Sequence, residues 1–335
     1  MRSHHVIARL AHSSLLPCHR KRTVLQRSFS SQVEITTHHH TSQHTSYDTQ
    51  QATALVDSLL EHTASLIQDT SAQHHHVIAF SGGVDSSLTA ALVHRIAPQA
   101  RAILGLSAAV PAEQRELAVR VAAQIGIPLQ MVETNEGSDP MYIQNAGQAC
   151  FACKTHLYST LQAVYASVDQ EAVQLYNGTN ADDTNDPTRV GLIAAQQFRV
   201  QSPLLHINKE QVRLAARHCG LLNWNYAASP CLRSRLALGV PATRDHLQRI
   251  ERAERFVRQQ LAMHALFNET CNVRVRLLAQ NRVCIEVDEG ALLEYAHEQV
   301  TQWKLYLEDD LQFAAVQVRA FRSGSVAVIS HSAKK

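Results

Sequence analysis

The chain lacks several features that would fix its class. No apolar run approaches the roughly 18 residues of a membrane-crossing helix, which excludes a helical membrane span. The seven cysteines (Cys18, Cys150, Cys153, Cys219, Cys231, Cys271 and Cys284) are too sparse, and odd in number, for a secreted disulfide framework across 335 residues. A reducing compartment fits them better, with some thiols free for chemistry. No GxxxxGK[ST] string occurs, so the chain carries no Walker loop.

Acidic residues are missing from one stretch. None precedes Glu34, while Arg2, Arg9, Arg20, Lys21, Arg22 and Arg27 all fall there among frequent serines. This is the composition of an organelle transit peptide, expected over residues 1–33, mitochondrial in preference to plastid. If the segment is instead a basic tail, the protein is cytoplasmic. Residues 34–50, with His38-His39-His40, read as a polar linker; a histidine tract can bind metal but is commonly solvated low-complexity chain. The whole chain has 31 basic and 29 acidic residues. Without the six early basic residues, 25 face 29, a net charge of −4. Nucleic acid as a partner therefore has no global basic excess to hold it.

What is present is a rhythm. Residues 52–68 show helical apolar spacing, and then strand and helix signals alternate. Strands are expected at 77–80, 102–107, 129–133, 173–178 and 198–202, and helices at 85–96, 113–125, 154–167, 188–196 and 208–218. That order argues for a parallel sheet with crossover helices over residues 51–239. After 239 it changes to a long amphipathic helix (243–262), strands at 272–278 and 282–287, a helix at 289–303 and a last strand near 313–318. Residues 240–328 thus read as a smaller α+β domain.

Three strings carry chemistry. The first is Ser81-Gly82-Gly83-Val84-Asp85-Ser86, directly after the strand that ends in Ala79 and Phe80. Strand, Gly-Gly turn and helix make an anion cradle of backbone N–H groups and helix dipole. Asp85 either caps the helix or helps hold Mg²⁺ on bound phosphates. The second is Cys150-Phe151-Ala152-Cys153, with Cys231 far along the chain. With no second C-x-x-C, zinc is not the leading reading; three thiolates could hold a [4Fe–4S] cluster with one open iron, or act as simple thiols. The third is Asn177-Gly178-Thr179-Asn180-Ala181-Asp182-Asp183, followed by Asp186 and Arg189. It is either an Asn/Asp-rich turn with helix caps or a contact to nucleotide, Mg²⁺ or substrate. Arg274 and Arg276 share one strand face and want an anion, or pair with Glu286 or Glu294. Lys154 could lower a thiol pKa or bind phosphate, or be a surface lysine, and Arg235 suits phosphate or carboxylate.

The Ser81 string resembles the pyrophosphate loop of the ATP-pyrophosphatase, or adenine nucleotide α-hydrolase-like, superfamily. With SGGVDSSL (81–88), CFACKTHLYSTL (150–161), NGTNADD (177–183), SPLLHINKEQVRLAARHCGLLNW (202–224) and CLRSRLALG (231–239), the chain resembles the LarE family of ATP-dependent sulfur transferases. That resemblance implies an α/β fold, a doubly wound Rossmann-like parallel sheet with a smaller C-terminal α+β domain. It implies ATP held by Ala79, Phe80, Ser81, Gly82, Gly83, Asp85, Ser86, Ser107, Gly178 and Thr179, with Mg²⁺. The substrate is expected to be a pyridinium dicarboxylate mononucleotide, a small-molecule partner met by Lys154, Asp183, Arg189, Arg235, Arg274 and Arg276. Its carboxylate is adenylated and converted to a thiocarboxylate. The sulfur comes from Cys231 itself or from a cluster held by Cys150, Cys153 and Cys231, with Asp85 also in the catalytic set. A homo-oligomer, a hexamer or smaller ring, is implied as well. Two rivals within the superfamily are a tRNA thiolase, which should carry a basic surface or an RNA-binding module, and an amide-forming synthetase such as NAD synthetase, which needs no cysteine trio.

Overall fold

The computed structural model describes residues 41–68, 75–166, 173–186 and 188–325. The expected transit peptide, the histidine tract and Cys18 lie outside them. The first described element is helix α1 (Thr41–Gln68), which buries Ala52, Val56, Leu59 and Thr63 at helical spacing. It begins within the stretch expected as linker, because the amphipathic segment 52–68 extends backwards through residues with no helix breaker.

The alternating segments then become strand β1 (His75–Ala79), helix α2 (Val84–Ile96), β2 (Arg101–Leu106), α3 (Ala112–Ile125) and β3 (Leu129–Glu133). They continue as α4 (Pro140–Gln144), α5 (Ala149–Ala166), β4 (Val173–Tyr176), α6 (Ala181–Thr184), α7 (Gly191–Gln197) and α8 (Lys209–His218). The four strands form one sheet in the order β3-β2-β1-β4, all neighbours parallel. Period-2 alternation buries both faces. Ile78, Phe80, Ala102 and Leu104 pack on Ala118, Val121 and Ala122 of α3, whereas Val77, Ile103 and Leu175 pack on Tyr158 and Leu161 of α5. This is the α/β Rossmann-like architecture that the rhythm predicts.

Two expectations need correction. The strand expected at 198–202 is a single bridge, Gln201 to Tyr176; Pro203 has no N–H with which to continue a ladder, and Arg199 has φ of +51°. Helix α5 starts five residues before its expected position, so Cys150 and Cys153 are helical and share one face, one turn apart.

Beyond residue 239 lie α9 (Arg244–Leu261), β5 (Val273–Leu278), β6 (Arg282–Val287), α10 (Ala291–Lys304) and β7 (Ala315–Ala320). The second sheet runs β5-β6-β7, with β5 and β6 antiparallel and β6 and β7 parallel across α10. The apolar stripe of α9, Leu247, Ile250, Ala253 and Val257, packs in one cluster with Val273, Val275 and Leu277. Both sheets belong to one compact unit that begins at His44. No helix among the described residues is long and apolar enough to cross a membrane.

Candidate functional site

In the first sheet the chain moves from β1 outward to β2 and β3, then returns to place β4 on the other side of β1. The connections after β1 and β4 therefore part at the carboxyl ends of these strands, where open parallel sheets form a ligand crevice. Ser81 follows β1 there, Asn177 follows β4, and Ser107 follows β2.

The two glycines of the Ser81 loop differ. Gly82 has φ of +73°, and a Cβ there would lie 2.7 Å from the Ala118 Cα, so α3 packs directly on the turn. Gly83 has an ordinary φ of −74° and is the N-cap of α2, without a side-chain cap bond; Asp85 is not the cap. A Cβ at Gly83 would approach only the Ser81 hydroxyl, at 3.4 Å. The loop is held from behind. Asn223 Nδ2 donates to Gly82 O at 2.7 Å and to Ser87 Oγ at 3.0 Å, Gln114 donates to Ser81 O, and Ser86 Oγ accepts from Ser81 N at 3.2 Å.

Three helix starts meet beside it. Asp85 sits in the first turn of α2, and its carboxylate takes the Lys209 ammonium and a 3.0 Å bond from Asn180 Nδ2. Asn180 caps α6 in a capping box with Asp183, and Lys209 opens α8, its N–H donating to Asp182 Oδ2 at 2.8 Å. Gly178 must be glycine for this closeness, since a Cβ would lie 2.6 Å from the Asp85 carbonyl carbon. The positive dipole end of α2, the backbone donors of the loop and a lysine thus collect at one crevice. Asp183 is engaged by Arg189 at 2.8 Å, and Arg189 also reaches Asp186 at 3.5 Å. Thr179 N donates to Asn177 Oδ1 at 3.0 Å, while Ser107 Oγ accepts from Ala109 N at 3.2 Å. Phe80 is buried, its N–H bonded to Ile103 O at 2.9 Å, and Ala79 is half-buried.

The cysteines converge on the same edge of the sheet. Cys231 precedes a short 3₁₀ turn, Leu232–Arg235, and Leu232 N donates to Ala109 O at 2.8 Å, two residues past Ser107. Cys153 and Cys231 pack against one apolar cluster that includes Tyr142, Ala149 and Leu232. Burial, and then the Cys231 sulfur, push the Cys153 thiol up to about 12. Burial also raises Cys150, opposed by Arg233, whose Nη2 donates to its sulfur at 2.7 Å. Lys154 is half-buried next to Cys153, its ammonium 5.8 Å from the Tyr158 ring centre. Among the described residues, no group of three or more His, Cys, Asp or Glu side chains is placed to hold a metal ion. The trio matches an iron–sulfur cluster in ligand type.

Of the arginines, Arg235 is fully buried and committed: its fork meets Glu254 at 3.0 and 2.7 Å, and Nη1 donates to the carbonyls of Pro230 and Cys231. It shapes the turn that carries Cys231. Arg276 pairs with Glu286 at 2.9 Å and donates to Ser234 O at 2.9 Å. Arg274 is 2% exposed, donates only to the carbonyls of Val273 and Ala228, and has no carboxylate within ion-pair distance among the described residues. Burial and the nearby Arg235 lower its pKa to about 9, which marks a cation short of counter-charge.

Sequence reasoning missed Lys209, Asn223, Arg233 and Glu254 as parts of this site. Lys209 follows a readable capping box, Asn208 with Gln211, but nothing local shows that it reaches Asp85, 124 positions away. Glu254 does interrupt the apolar stripe of α9, a signal that a buried cation awaits it.

These features define an α/β protein with an anion-suited loop at the switch point of its sheet and a group of thiols on the same edge. No protein-family model matches the chain. It is 39% identical over 186 residues to an uncharacterized protein of Synechocystis sp., slr1717, covering 55% of this chain and 68% of that one, and it belongs to that protein's family. It is 29% identical over 185 residues to the pyridinium-3,5-bisthiocarboxylic acid mononucleotide synthase of Lactiplantibacillus plantarum, covering 54% of this chain and 66% of that protein.

Proposed function

We propose that the protein is an ATP-dependent sulfur transferase that turns a carboxylate of a pyridinium dicarboxylate mononucleotide into a thiocarboxylate. The observation that carries the reading is the placement of Cys231: its turn is tied to Ala109, beyond β2, on the sheet edge that also carries the Ser81 loop. The relationship to the Lactiplantibacillus plantarum synthase supports the substrate class.

A carboxylate is a poor electrophile, and adenylation gives it a good leaving group. The N–H groups of the Ser81 loop, the start of α2 and Lys209 receive the phosphates and stabilise the departing pyrophosphate. Mg²⁺ enters with ATP, its charge complementing Asp85 and Asp183. The Cys231 sulfur then attacks the acyl carbon and AMP leaves with the C–O bonding pair. Loss of the Cys231 Cα proton and cleavage of its Cβ–Sγ bond leave the sulfur, with that electron pair, on the product and dehydroalanine in the chain. Arg274, short of counter-charge, suits the substrate phosphate. Cys150 and Cys153 are the residues that, with Cys231, would hold an iron–sulfur cluster if the sulfur came from one instead.

The test is anaerobic incubation with ATP and pyridinium-3,5-dicarboxylate mononucleotide, followed by mass spectrometry of product and protein. Acceptor-dependent AMP, a thiocarboxylate product and dehydroalanine at position 231 are expected. AMP release without sulfur in the product would discard the reading in favour of an amide-forming synthetase.

A further inference from the structure

Two buried polar atoms beside the thiols stand without partners. The Tyr142 hydroxyl makes no hydrogen bond among the described residues, although the residue is 2% exposed. Glu136 is equally buried, and its Oε2 is likewise unpaired. A phenylalanine would pack at 142 without stranding a donor, so the hydroxyl calls for an acceptor that the resting chain does not supply.

The placement of Tyr142 is closely controlled. Helix α4, which carries it, is capped by Asp139, accepting from Met141 N at 2.8 Å. At its other end Asn145, with φ of +48°, donates to the carbonyls of Ala237 and Val240 at 3.0 Å. Ala242 N adds a 2.7 Å bond to Ile143 O. These bonds fasten α4 to the segment that follows the Cys231 turn. Asn145 Oδ1 also accepts from Arg233 at 3.1 Å, the residue that donates to the Cys150 sulfur. Tyr142 itself belongs to the cluster on which Cys153 and Cys231 pack. Burial, then Cys231, Cys153 and Glu136, raise the phenol above its ordinary pKa against Arg233, and so keep it a neutral donor.

We infer that Tyr142 is a positioning residue for Cys231: its hydroxyl donates a hydrogen bond to that sulfur as negative charge develops on it. A thiol is a weak acceptor and a thiolate a strong one, so the bond forms only when the sulfur is ready to react. The unpaired hydroxyl is then a donor held ready for the activated state. The inference rests on Cys231 as the sulfur-bearing residue, yet its test needs no turnover.

In the full chain, anaerobic labelling with iodoacetamide near neutral pH, read by peptide mass spectrometry, compares wild type with Tyr142→Phe. Labelling of Cys231 is expected to slow about tenfold while exposed Cys219 labels as before, and the melting temperature to hold or rise. An unchanged Cys231 rate with a raised melting temperature would make the hydroxyl a stray packing atom and overturn the inference. Should Tyr142→Phe not fold, 3-fluorotyrosine placed at position 142 alone gives one ¹⁹F resonance. That resonance is expected to move on Cys231→Ala, and a fixed resonance overturns the inference as firmly. A chain that passes both tests but makes no thiocarboxylate sinks the proposed function and leaves this inference standing.

Discussion

A methyl group added at Gly82 would strike the backbone of α3 and sit at a φ of +73°; one added at Gly83 would meet only a serine hydroxyl at 3.4 Å. The adjacent glycines therefore answer to different demands. Left-handed strain of roughly 1–2 kcal/mol and overpacking of roughly 1–3 kcal/mol both fall on Gly82→Ala. That variant is expected to lose about 3 kcal/mol of unfolding free energy in urea titration. Gly83→Ala should melt like wild type, because the site is open and its backbone ordinary. Its cost should appear in ATP binding, as the methyl group occupies the approach to the loop N–H groups. Equal melting with equal ATP affinity would mean that no phosphate comes near Gly83. The pattern Ser-Gly-Gly in the sequence marks a close approach but does not say that one glycine faces a helix and the other open space.

Among the elements, α8 does most to complete the crevice. Its capping box is legible from Asn208 and Gln211, as are nearly all the strands and helices, because apolar periodicity is a local property. What it brings to the site is not local. Lys209 reaches Asp85 on the neighbouring helix α2, and Asn223, just beyond α8, holds the Gly82 carbonyl. Such pairings depend on which helix ends the topology gathers, and no spacing rule encodes that. The Lys209–Asp85 pair is partly exposed, with side chains 34% and 27% accessible, so it is worth at most about 1 kcal/mol to folding. In the proposed reaction its value lies in pointing an ammonium at the phosphates. Lys209→Met is expected to raise the KM for ATP about tenfold, the loss of one charge-assisted hydrogen bond, with little change in melting temperature. A large drop in melting temperature with unaltered KM would reassign Lys209 to structure alone.

Across the whole molecule, the turn after Cys231 links the two sheets. Leu232 bonds to Ala109 beyond β2, Ala237 N donates to Leu277 O of β5 at 2.8 Å, and Arg235 holds Glu254 of α9. The sequence shows the arginines as candidates for anions but not which of them are consumed by buried carboxylates, since burial is a property of the assembled fold. Breaking the Arg235–Glu254 pair on either side leaves a buried charge, a loss of roughly 3–5 kcal/mol. The same pair sets an acid limit on stability. Burial raises the Glu254 carboxyl, but Arg235, with Arg274 and Arg258, more than reverses this and brings it to about 2. A carboxyl depressed in the folded state contributes its full stability above the unfolded value of 4.5 and loses it as pH falls toward about 2. The expected loss is about 3 kcal/mol over that window. Glu286 adds to it in the same direction, its burial outweighed by Ser325, Arg319 and Arg276. Melting measured from neutral pH downward should hold until about pH 4.5 and then fall steeply. In Glu254→Gln the curve should start lower and fall less, because the group that takes up the proton is gone. If the two curves ran parallel, the acid sensitivity would belong to other carboxylates and the Arg235–Glu254 pair would not set that limit.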